Sequence, residues 1–323
     1  MSYPSFCLEY DFEIDRVVNW LRSGGYRKVL IQLPPALMRC FSYIYSEIES
    51  QIENVILTLS ANPSYGSCLV DEVGARAVGA EALVHFGHLE YPFYSPSIPV
   101  LYIPLEWRGA NIEWLAERIE EVCRDVESCC VVTTAQHLKA SRVASGLARA
   151  RFVGLILGCY APPAAASCDR VVVIAGGDFH CVSAALMTSA NKVICIDPYE
   201  RNVKGARSLV EKILRVRLWK ISKCINARHW LVIDGVLGQH RSTVIDRIRS
   251  ALSSSQRIHV AVAYSIDEST IRNIDPCSYD CIVVAACPRI AIDDLSRYEK
   301  PVLTPGEALM ALEGRIDRYV YPW

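Results

Sequence analysis

Short apolar runs rich in Val and Ile recur along the chain, and each ends at a turn-forming or polar residue. They are Val29–Leu33, Val55–Leu59, Ala82–Phe86, Leu155–Leu157, Val171–Ala175, Trp230–Ile233 and Cys281–Ala286. Runs that are apolar throughout, without polar alternation, are typical of strands covered on both faces in parallel sheets. Segments with helical spacing lie between them, at 112–126, 208–217 and 244–252. The succession of strand, turn, helix and strand predicts an α/β fold built on parallel sheets.

No low-complexity linker divides the 323 residues, a length that suits two or three compact domains. Weak boundaries near Pro104–Gly109 and Asn202–Lys204 leave three pieces, each with several candidate strands. We predict three small Rossmann-like domains, at residues 1–106, 107–203 and 204–323. The similar sizes and strand patterns of the three pieces favour a triplicated unit, although no clear sequence repeat is present.

Charge and hydropathy exclude several classes of protein. Lys and Arg total 34 against 35 for Asp and Glu, so nothing favours a general nucleic-acid binder. Apolar residues form 51% of the chain, too many for wholesale disorder. Each apolar run is interrupted before the roughly 18 residues of a membrane span, and the acidic N-terminal segment lacks the apolar region of a signal peptide. We expect a soluble cytoplasmic protein without direct membrane or nucleic-acid partners.

Fourteen cysteines make the chain unusually rich in this residue. A secreted disulfide scaffold would be a short chain with few helix-forming apolar segments, which this chain is not. Several cysteines lie inside apolar runs, where a free thiol packs as a small hydrophobe, as at Cys129, Cys130, Cys195 and Cys281. We therefore expect buried packing for most of them. Replacing Cys195 or Cys281 should then cost only about 1 kcal/mol, for a small cavity.

Three cysteines follow candidate strands, one in each predicted domain: Cys68, Cys159 and Cys287. Ligands of open α/β sheets bind beyond the carboxyl ends of strands, so these thiols are in position to reach a shared site. Pro162 and Pro288 lie just downstream and favour extended or turned backbone. Three unrelated buried thiols are an equally open interpretation of this pattern.

Local metal motifs are missing from the sequence. No C-x-x-C pair occurs, which removes the signature of zinc ribbons and thioredoxin-like sites. Cys277 and Cys281 have a C-x-x-x-C spacing, but Val284 stands where the loop of ordinary radical S-adenosylmethionine enzymes needs a third cysteine. A metal cluster in this chain would therefore need ligands that are far apart in sequence.

Several stretches resemble, in order and spacing, the diphthamide-synthesis family of 2-(3-amino-3-carboxypropyl)histidine synthases. They are YGSCLVDEVGARAVGAEALVHFGH, LGCYAP, DPY, ACPRIAIDD and LTPGEALMAL, within a similarity that runs from IQLP to the C-terminal YPW. The family's cluster cysteines fall on Cys68, Cys159 and Cys287, the residues that the strand-end argument also selects. The resemblance implies one 4Fe–4S cluster with an open iron, held where the three domains meet, while the other eleven cysteines are not ligands.

The resemblance implies a non-standard radical reaction. The reduced cluster would bind S-adenosylmethionine as co-substrate and cleave its sulfonium bond to the methionine γ-carbon. The resulting 3-amino-3-carboxypropyl group would add to C2 of a histidine imidazole on translation elongation factor 2, the first step toward diphthamide. The family also implies an external electron donor. A single chain with all three cysteines is similar to the archaeal members that act as homodimers.

Glycines and polar residues at strand ends are the predicted contacts of the cofactor pocket. They are Gln32, Gly176, Gly177, His180, Asp197, Gly235 and Gly238. Glycine lets backbone approach a ligand closely. Asp197 follows a strand and precedes Pro198, so its carboxylate is placed to hold a ribose or amino group, and an Asx-type turn is an equally open interpretation.

The pocket motifs depart from the family pattern at several positions. Pro35 and Ala36 stand where Glu and Gly are expected, and Ala175 replaces the first glycine of a G-x-G-x-F-H motif. Gln239–Arg241 depart from the pattern that follows the G-x-L-G motif.

No catalytic residue beyond the cluster ligands is predicted, and His180 and Arg289 are the candidates. His180 is placed to touch the cofactor or the target loop. Arg289 follows Cys287 closely enough to neutralise a cluster or carboxylate, with a surface ion pair as the alternative. His85 and His88 flank Gly87, and we expect them to satisfy local backbone hydrogen bonds at a strand end.

Two other functions remain open at this point. Quinolinate synthase also resembles a plan of three α/β domains with one cluster cysteine each, but it acts on small dicarboxylates without a protein partner. A non-enzymatic iron–sulfur redox protein would need no cofactor pocket. The ACPRIAIDD and VHFGH stretches argue against the first, and the strand-end glycines argue against the second.

Overall fold

The chain forms two compact units in the computed structural model, which describes residues 3–189 and 191–323. The first unit comprises Met1–Asn111 and Ala135–Ala140, and the second comprises Ile112–Thr134 and Ser141–Trp323. Each hydrogen-bonded sheet belongs to one unit. Within the described ranges, no helix has the length and apolar character needed to cross a membrane. The division into three domains after residues 106 and 203 stays a prediction.

The first unit contains a four-stranded parallel sheet and a short antiparallel ribbon. Its strands are β1 (Tyr10–Asp11), β2 (Lys28–Gln32), β3 (Ile56–Ser60), β4 (Ala82–Phe86), β5 (Val100–Ile103) and β6 (Glu106–Trp107). Its helices are α1 (Ile14–Gly24), α2 (Phe41–Glu49) and α3 (Glu72–Ala77). The sheet has the order β3–β2–β4–β5, while β1 pairs with β6. All five residues of β4 are buried, as its continuous apolar run predicts.

The second unit begins with a five-stranded sheet. Its strands are β7 (Cys129–Thr133), β8 (Arg151–Leu155), β9 (Arg170–Ile174), β10 (Val193–Asp197) and β11 (Asn202–Gly205). Its helices are α4 (Ile112–Cys123), α5 (Leu138–Leu147), α6 (Pro163–Ala166) and α7 (Phe179–Met187), of which α5 belongs to this unit from Ser141 onward. The order is β11–β10–β9–β7–β8, parallel except for the edge strand β11.

A second sheet of this unit has four parallel strands. They are β12 (His229–Asp234), β13 (Arg257–Val262), β14 (Cys281–Val284) and β15 (Val302–Leu303), in the order β13–β12–β14–β15. The helices are α8 (Arg207–Cys224), α9 (Ser242–Ala251), α10 (Glu268–Ile274) and α11 (Pro305–Glu313). A short π-helical segment, Ile290–Asp294, follows β14. The predicted α/β class with parallel sheets is confirmed, and α8 continues past the predicted helix end at residue 217.

One predicted strand is misplaced. The run Leu155–Leu157 lies mostly beyond β8, which already ends at its first residue. Arg151 and Gly154 interrupt the apolar pattern of β8, and its ladder with β7 passes over Val153. Gly154 has φ +130°, a conformation that L side chains rarely adopt. The apolar run therefore leads into the turn that carries Cys159.

A buried ion pair joins α8 to α11. Arg217 donates to both carboxylate oxygens of Glu307, at 2.7 and 2.5 Å, and both side chains are almost fully excluded from solvent. The same guanidinium donates to the backbone oxygens of Ala291 and Val302, at 2.8 and 2.7 Å. Glu307 also accepts from the backbone N–H of Thr304 in the capping box of α11. Removing one partner of such a pair typically costs about 3–5 kcal/mol, because the other charge stays buried.

Ten cysteines form five disulfides, contrary to the expectation of buried thiols. The pairs are Cys7–Cys40, Cys123–Cys129, Cys130–Cys168, Cys181–Cys195 and Cys224–Cys281. Their Cα–Cα distances of 5.6 to 6.0 Å are usual for disulfides. Cys195 and Cys281 therefore do more than fill space. The pairing could not be predicted from sequence because the partners are 6 to 57 residues apart and meet only when helices, strands and loops pack together.

Removing a disulfide should cost more than a small cavity would. We expect Cys281→Ala to lower the free energy of unfolding by about 2–4 kcal/mol, measured by chemical denaturation. Cys277→Ala is the matched control, because Cys277 is exposed and lies outside the disulfides. Alkylation of the denatured, unreduced protein should label Cys68, Cys159, Cys277 and Cys287. Labelling of Cys224 before reduction would contradict the pairing.

Candidate functional site

The Cys68 loop is held by the end of β2. Cys68 is half-buried in the loop between β3 and α3. The Gln32 amide donates to the Leu69 backbone oxygen at 2.8 Å and accepts from the Asp71 N–H at 3.2 Å. Gln32 is only 1% exposed. In the structure its amide positions this loop, and its predicted contact with a cofactor stays a prediction.

Asp71 holds the far side of the same loop. Its carboxylate accepts from the Gly74 N–H at 2.9 Å and so caps the N-terminus of α3. The other carboxylate oxygen accepts from the Ser60 hydroxyl at 2.6 Å and the Asn62 amide at 3.0 Å. The chain on both sides of Cys68 is therefore fixed by buried hydrogen bonds.

Two histidines extend this network. His85 Nδ1 lies 2.9 Å from the Gln32 amide oxygen, and its Nε2 lies 3.0 Å from His88 Nδ1. Because the amide oxygen can only accept, His85 carries its proton on Nδ1 and accepts from His88. Desolvation, and then the nearby His88, hold the pKa of His85 well below its usual value. The partners of His85 are thus side chains rather than the expected backbone groups, and His85 is a neutral structural residue.

The Cys159 turn lies directly after the end of β8. Leu157 and Tyr160 pair through backbone hydrogen bonds of 2.8 and 3.3 Å, which closes a tight turn around Gly158 and Cys159. A side chain at Gly158 would overlap the Phe179 ring at the start of α7. Glycine is required there by this close approach.

The Cys287 loop reaches the same aromatic ring from the other sheet of the unit. Cys287 is half-buried, and its backbone oxygen accepts from the Ile290 N–H at 3.2 Å as the π-helical segment begins. The Arg289 guanidinium lies 5.7 Å from the centre of the Phe179 ring, a cation–π distance. Phe179 therefore contacts Gly158, next to Cys159, on one side and the Cys287 loop on the other.

The two candidate catalytic residues both lie beside the Phe179 ring, whose centre is 5.4 Å from that of His180 and 5.7 Å from the Arg289 guanidinium. Desolvation, and then the positive charge of Arg289, lower the pKa of His180 to about 4. His180 is therefore uncharged near neutral pH. Arg289 is exposed and lies 3.5 Å from the carboxylates of Asp293 and Asp294. The predicted alternative of a surface ion pair is thus present at Arg289.

Asp197 forms the Asx-type turn that the sequence left as one of two interpretations. One carboxylate oxygen accepts from the N–H groups of Tyr199 and Glu200 at 2.9 and 3.2 Å. The other accepts from the Gly177 N–H at 2.8 Å, and Gly177 has φ +68°. A Cβ at Gly176 would lie 2.8 Å from the Tyr199 ring. These residues form one packed strand-end turn, and their contact with a cofactor stays a prediction.

Asp234 closes a turn at the end of β12 as Asp197 does at the end of β10, and it is not among the residues predicted from the sequence. Its buried carboxylate accepts from the N–H groups of Gly235 and Arg241 at 2.9 and 3.1 Å, and His240 Nδ1 lies 2.5 Å away. A Cβ at Gly235 would lie 2.9 Å from Ala286 Cβ, directly before Cys287. An Asp after an apolar strand is the signal that also marks Asp197. Gly238 is buried in the turn that follows.

The thiols of Cys68, Cys159 and Cys287 have the chemistry that an iron–sulfur cluster needs. In the described part of the chain, no group of three or more His, Cys, Asp or Glu side chains is arranged to hold a metal ion. Near Cys159 and Cys287, desolvation raises the pKa of Tyr321 above its usual value, the hydrogen bond with Ser183 lowers it, and the two cysteines contribute a smaller further increase. Thiolate sulfur is the ligand that such clusters use. Cys159 and Cys287 belong to the second unit, and Cys68 belongs to the first.

The fold and the site together define a class of α/β protein in which half-buried thiols follow parallel strands. The model of the diphthamide synthesis protein family matches residues 33–322, so the chain belongs to that family. This confirms the resemblance found in the sequence.

Relatives and solved structures agree with that assignment. The 2-(3-amino-3-carboxypropyl)histidine synthase of Pyrococcus horikoshii is 29% identical over 311 residues, which cover 92% of this chain and 89% of the relative. Subunit 1 of the same synthase from Gallus gallus is 29% identical over 94% of this chain and 77% of its own length. The crystal structure of Dph2 from Pyrococcus horikoshii with a 4Fe–4S cluster superposes with a TM-score of 0.82 at 26% identity, covering 97% of this chain and 96% of that one.

The lowered pKa of His180 predicts a pH dependence of stability. The unfolded chain binds a proton at this residue below its ordinary pKa of about 6.5, whereas the folded protein does so only below about 4. The free energy of unfolding should therefore fall as the pH drops from 6.5 to 4, and fall less in His180→Gln. Urea denaturation of both proteins at pH 7 and pH 5 measures this difference. A His180 imidazole that titrates near pH 6.5 by NMR would contradict the expectation.

Proposed function

We propose that this protein catalyses the first step of diphthamide biosynthesis. It would transfer the 3-amino-3-carboxypropyl group of S-adenosylmethionine to C2 of a histidine on translation elongation factor 2. The chain is an enzyme of this family, as its relatives in archaea and eukaryotes are named synthases. The observation that carries the proposal is the set of half-buried thiols Cys68, Cys159 and Cys287, which follow strands and lie outside the five disulfides.

Cys68, Cys159 and Cys287 would hold a 4Fe–4S cluster with one iron left for the co-substrate. When bound, a reduced cluster supplies the electron that cleaves a carbon–sulfur bond of the sulfonium. The hydrogen bonds from Gln32 and Asp71 hold the Cys68 loop in place before any ligand arrives. Loops fixed in advance lose little conformational freedom when a ligand binds.

The charges beside the Cys287 loop suit a zwitterionic co-substrate. Arg289 offers a guanidinium at this edge, a partner for the carboxylate of the methionine moiety. His180 beside it is neutral near pH 7, because its pKa is lowered to about 4. It therefore adds no positive charge against the sulfonium, and it retains a ring nitrogen for hydrogen bonding.

Position decides which carbon–sulfur bond breaks. The three bonds of a sulfonium are chemically similar, and orientation alone can change a barrier by several kcal/mol. Cys68, Cys159 and Cys287 come from distant loops rather than from one short motif, so they would hold the cluster in a different setting from that of ordinary radical enzymes of this co-substrate. We infer cleavage at the methionine γ-carbon, which leaves 5′-methylthioadenosine.

The family also suggests the oligomeric state, the electron donor and the protein substrate of this enzyme. We infer a homodimer in the cytoplasm, an external electron donor, and elongation factor 2 as the protein substrate. Membership of the diphthamide family sets aside the alternative related to quinolinate synthase. The alternative of a non-enzymatic iron–sulfur redox protein is set aside because the relatives are named synthases.

The nucleoside product tests the reaction. Anaerobic incubation with dithionite, S-adenosylmethionine and elongation factor 2 should give 5′-methylthioadenosine by chromatography and a mass gain on one histidine of the elongation factor. A reaction without dithionite is the control. If 5′-deoxyadenosine is the main product, or if an intact cluster cleaves nothing, the proposed reaction is wrong.

Single cysteine variants test the ligand set. Cys68→Ala, Cys159→Ala and Cys287→Ala should each lower the iron and sulfide content and abolish turnover, since each removes one of three ligands. Cys277→Ala should retain both, because Cys277 is exposed and no role is assigned to it. Iron and sulfide assays with anaerobic absorption spectra provide the measurement. Full cluster content in any of the first three variants would remove that cysteine from the ligand set.

A further inference from the structure

The last five residues form a strap across α11, which we call the C-terminal strap (Tyr319–Trp323). The Gly306 N–H donates to the Pro322 backbone oxygen at 2.9 Å, and the Val320 N–H lies 3.3 Å from the Met310 sulfur. A Cβ at Gly306 would lie 2.6 Å from the Val320 backbone oxygen, so the strap packs against the helix backbone itself. Gly306 is thus required by this close approach.

One side chain of the strap reaches the Cys159 turn. The Tyr321 hydroxyl donates to the Gly158 backbone oxygen at 2.7 Å, directly before Cys159. Its oxygen also lies 3.1 Å from the Ser183 hydroxyl on α7. Because the only proton of Tyr321 is used toward Gly158, Ser183 is the donor in the second bond.

Two candidate ligand thiols of the second unit, Cys287 and Cys159, contribute to the raised pKa of the Tyr321 hydroxyl. Desolvation raises its pKa most, and the charges of Cys287 and Cys159 raise it further. The hydroxyl therefore keeps its proton and remains a donor across the physiological pH range. Its direct contact with the Cys159 turn is the hydrogen bond to the Gly158 backbone oxygen.

The other end of the strap is tied to the Cys287 loop. The Tyr319 hydroxyl donates to Glu307 at 2.6 Å, and Glu307 is paired with the buried Arg217. Arg217 in turn donates to the backbone oxygen of Ala291, in the π-helical segment that follows Cys287. A continuous set of hydrogen bonds and one short stretch of backbone thus links the segment after Cys287 to the residue before Cys159.

We propose that Tyr321 is a positioning residue for the cluster ligand Cys159. Its hydrogen bond to Gly158 would hold the Cys159 turn in register with the Cys287 loop, so that both thiols face one cluster. The role in cluster binding rests on the proposed function, whereas the restraint on the Cys159 turn does not. Outer-sphere hydrogen bonds of this kind orient ligands and tune the potential of the metal group.

The apo-protein gives the first test, independent of any reaction. Removing only the hydroxyl, in Tyr321→Phe, leaves the Gly158 oxygen without this donor and the turn freer to open. Alkylation of Cys159 in the native protein, followed by peptide mass spectrometry, should become about fivefold faster. Losing one ordinary hydrogen bond raises the ratio of open to closed turn by about this factor. The rate at exposed Cys277 should not change. Tyr279→Phe is the matched control, because its hydroxyl bonds His259 near the opposite end of β14.

The loaded protein gives the second test. Tyr321→Phe should shift the midpoint potential of the 4Fe–4S cluster and its reduced electron paramagnetic resonance signal, whereas Tyr279→Phe should leave both as in the unsubstituted protein. If Tyr321→Phe does not fold, Ser183→Ala, which removes only the second bond, should give a smaller change in the same direction. Unchanged Cys159 alkylation and potential in the folded variants would overturn the proposal. Absence of methylthioadenosine with the alkylation effect intact would instead overturn the proposed function.

Discussion

The buried pair of Arg217 and Glu307 sets the geometry on which the second unit depends. Two charges without water are tolerable only when each is fully hydrogen-bonded. Satisfying them draws α8, α11, β15 and the segment after Cys287 to one point. Tyr319 adds the C-terminal strap to the same point. Because its hydrogen bonds are directional, this interaction determines the position and orientation in which these elements meet.

The cysteines form two groups that differ in burial and in position within the fold. Eight of the ten disulfide cysteines are buried in the cores of the sheets, where a cross-link limits the unfolded chain. Cys68, Cys159 and Cys287 are half-buried at strand ends, where a thiolate can be reached by a ligand. Because disulfides and a reducible cluster occupy different places, one chain can carry both.

Local pattern predicted much of the fold and some of the site. The run at Ala82–Phe86 is recovered as β4 without change, because burial on both faces leaves a continuous apolar signal. β8 was misplaced because Arg151 and Gly154 hide its pattern. Asp197 was correctly singled out as a strand-end carboxylate, but its three N–H partners come from the turn around it and from Gly177 on the neighbouring strand-end loop. Asp234 carries the same signal and was overlooked.

By itself the sequence determined the α/β class, the family, and the three cysteines that follow strands, because these depend on residue type and order along the chain. Only the tertiary structure decided which cysteines are cross-linked, that Arg289 lies over the Phe179 ring, and that Tyr321 bonds the residue before Cys159. Those facts depend on distances between segments far apart in the chain. Such distances follow from how helices and sheets pack, and no local pattern of residues encodes them.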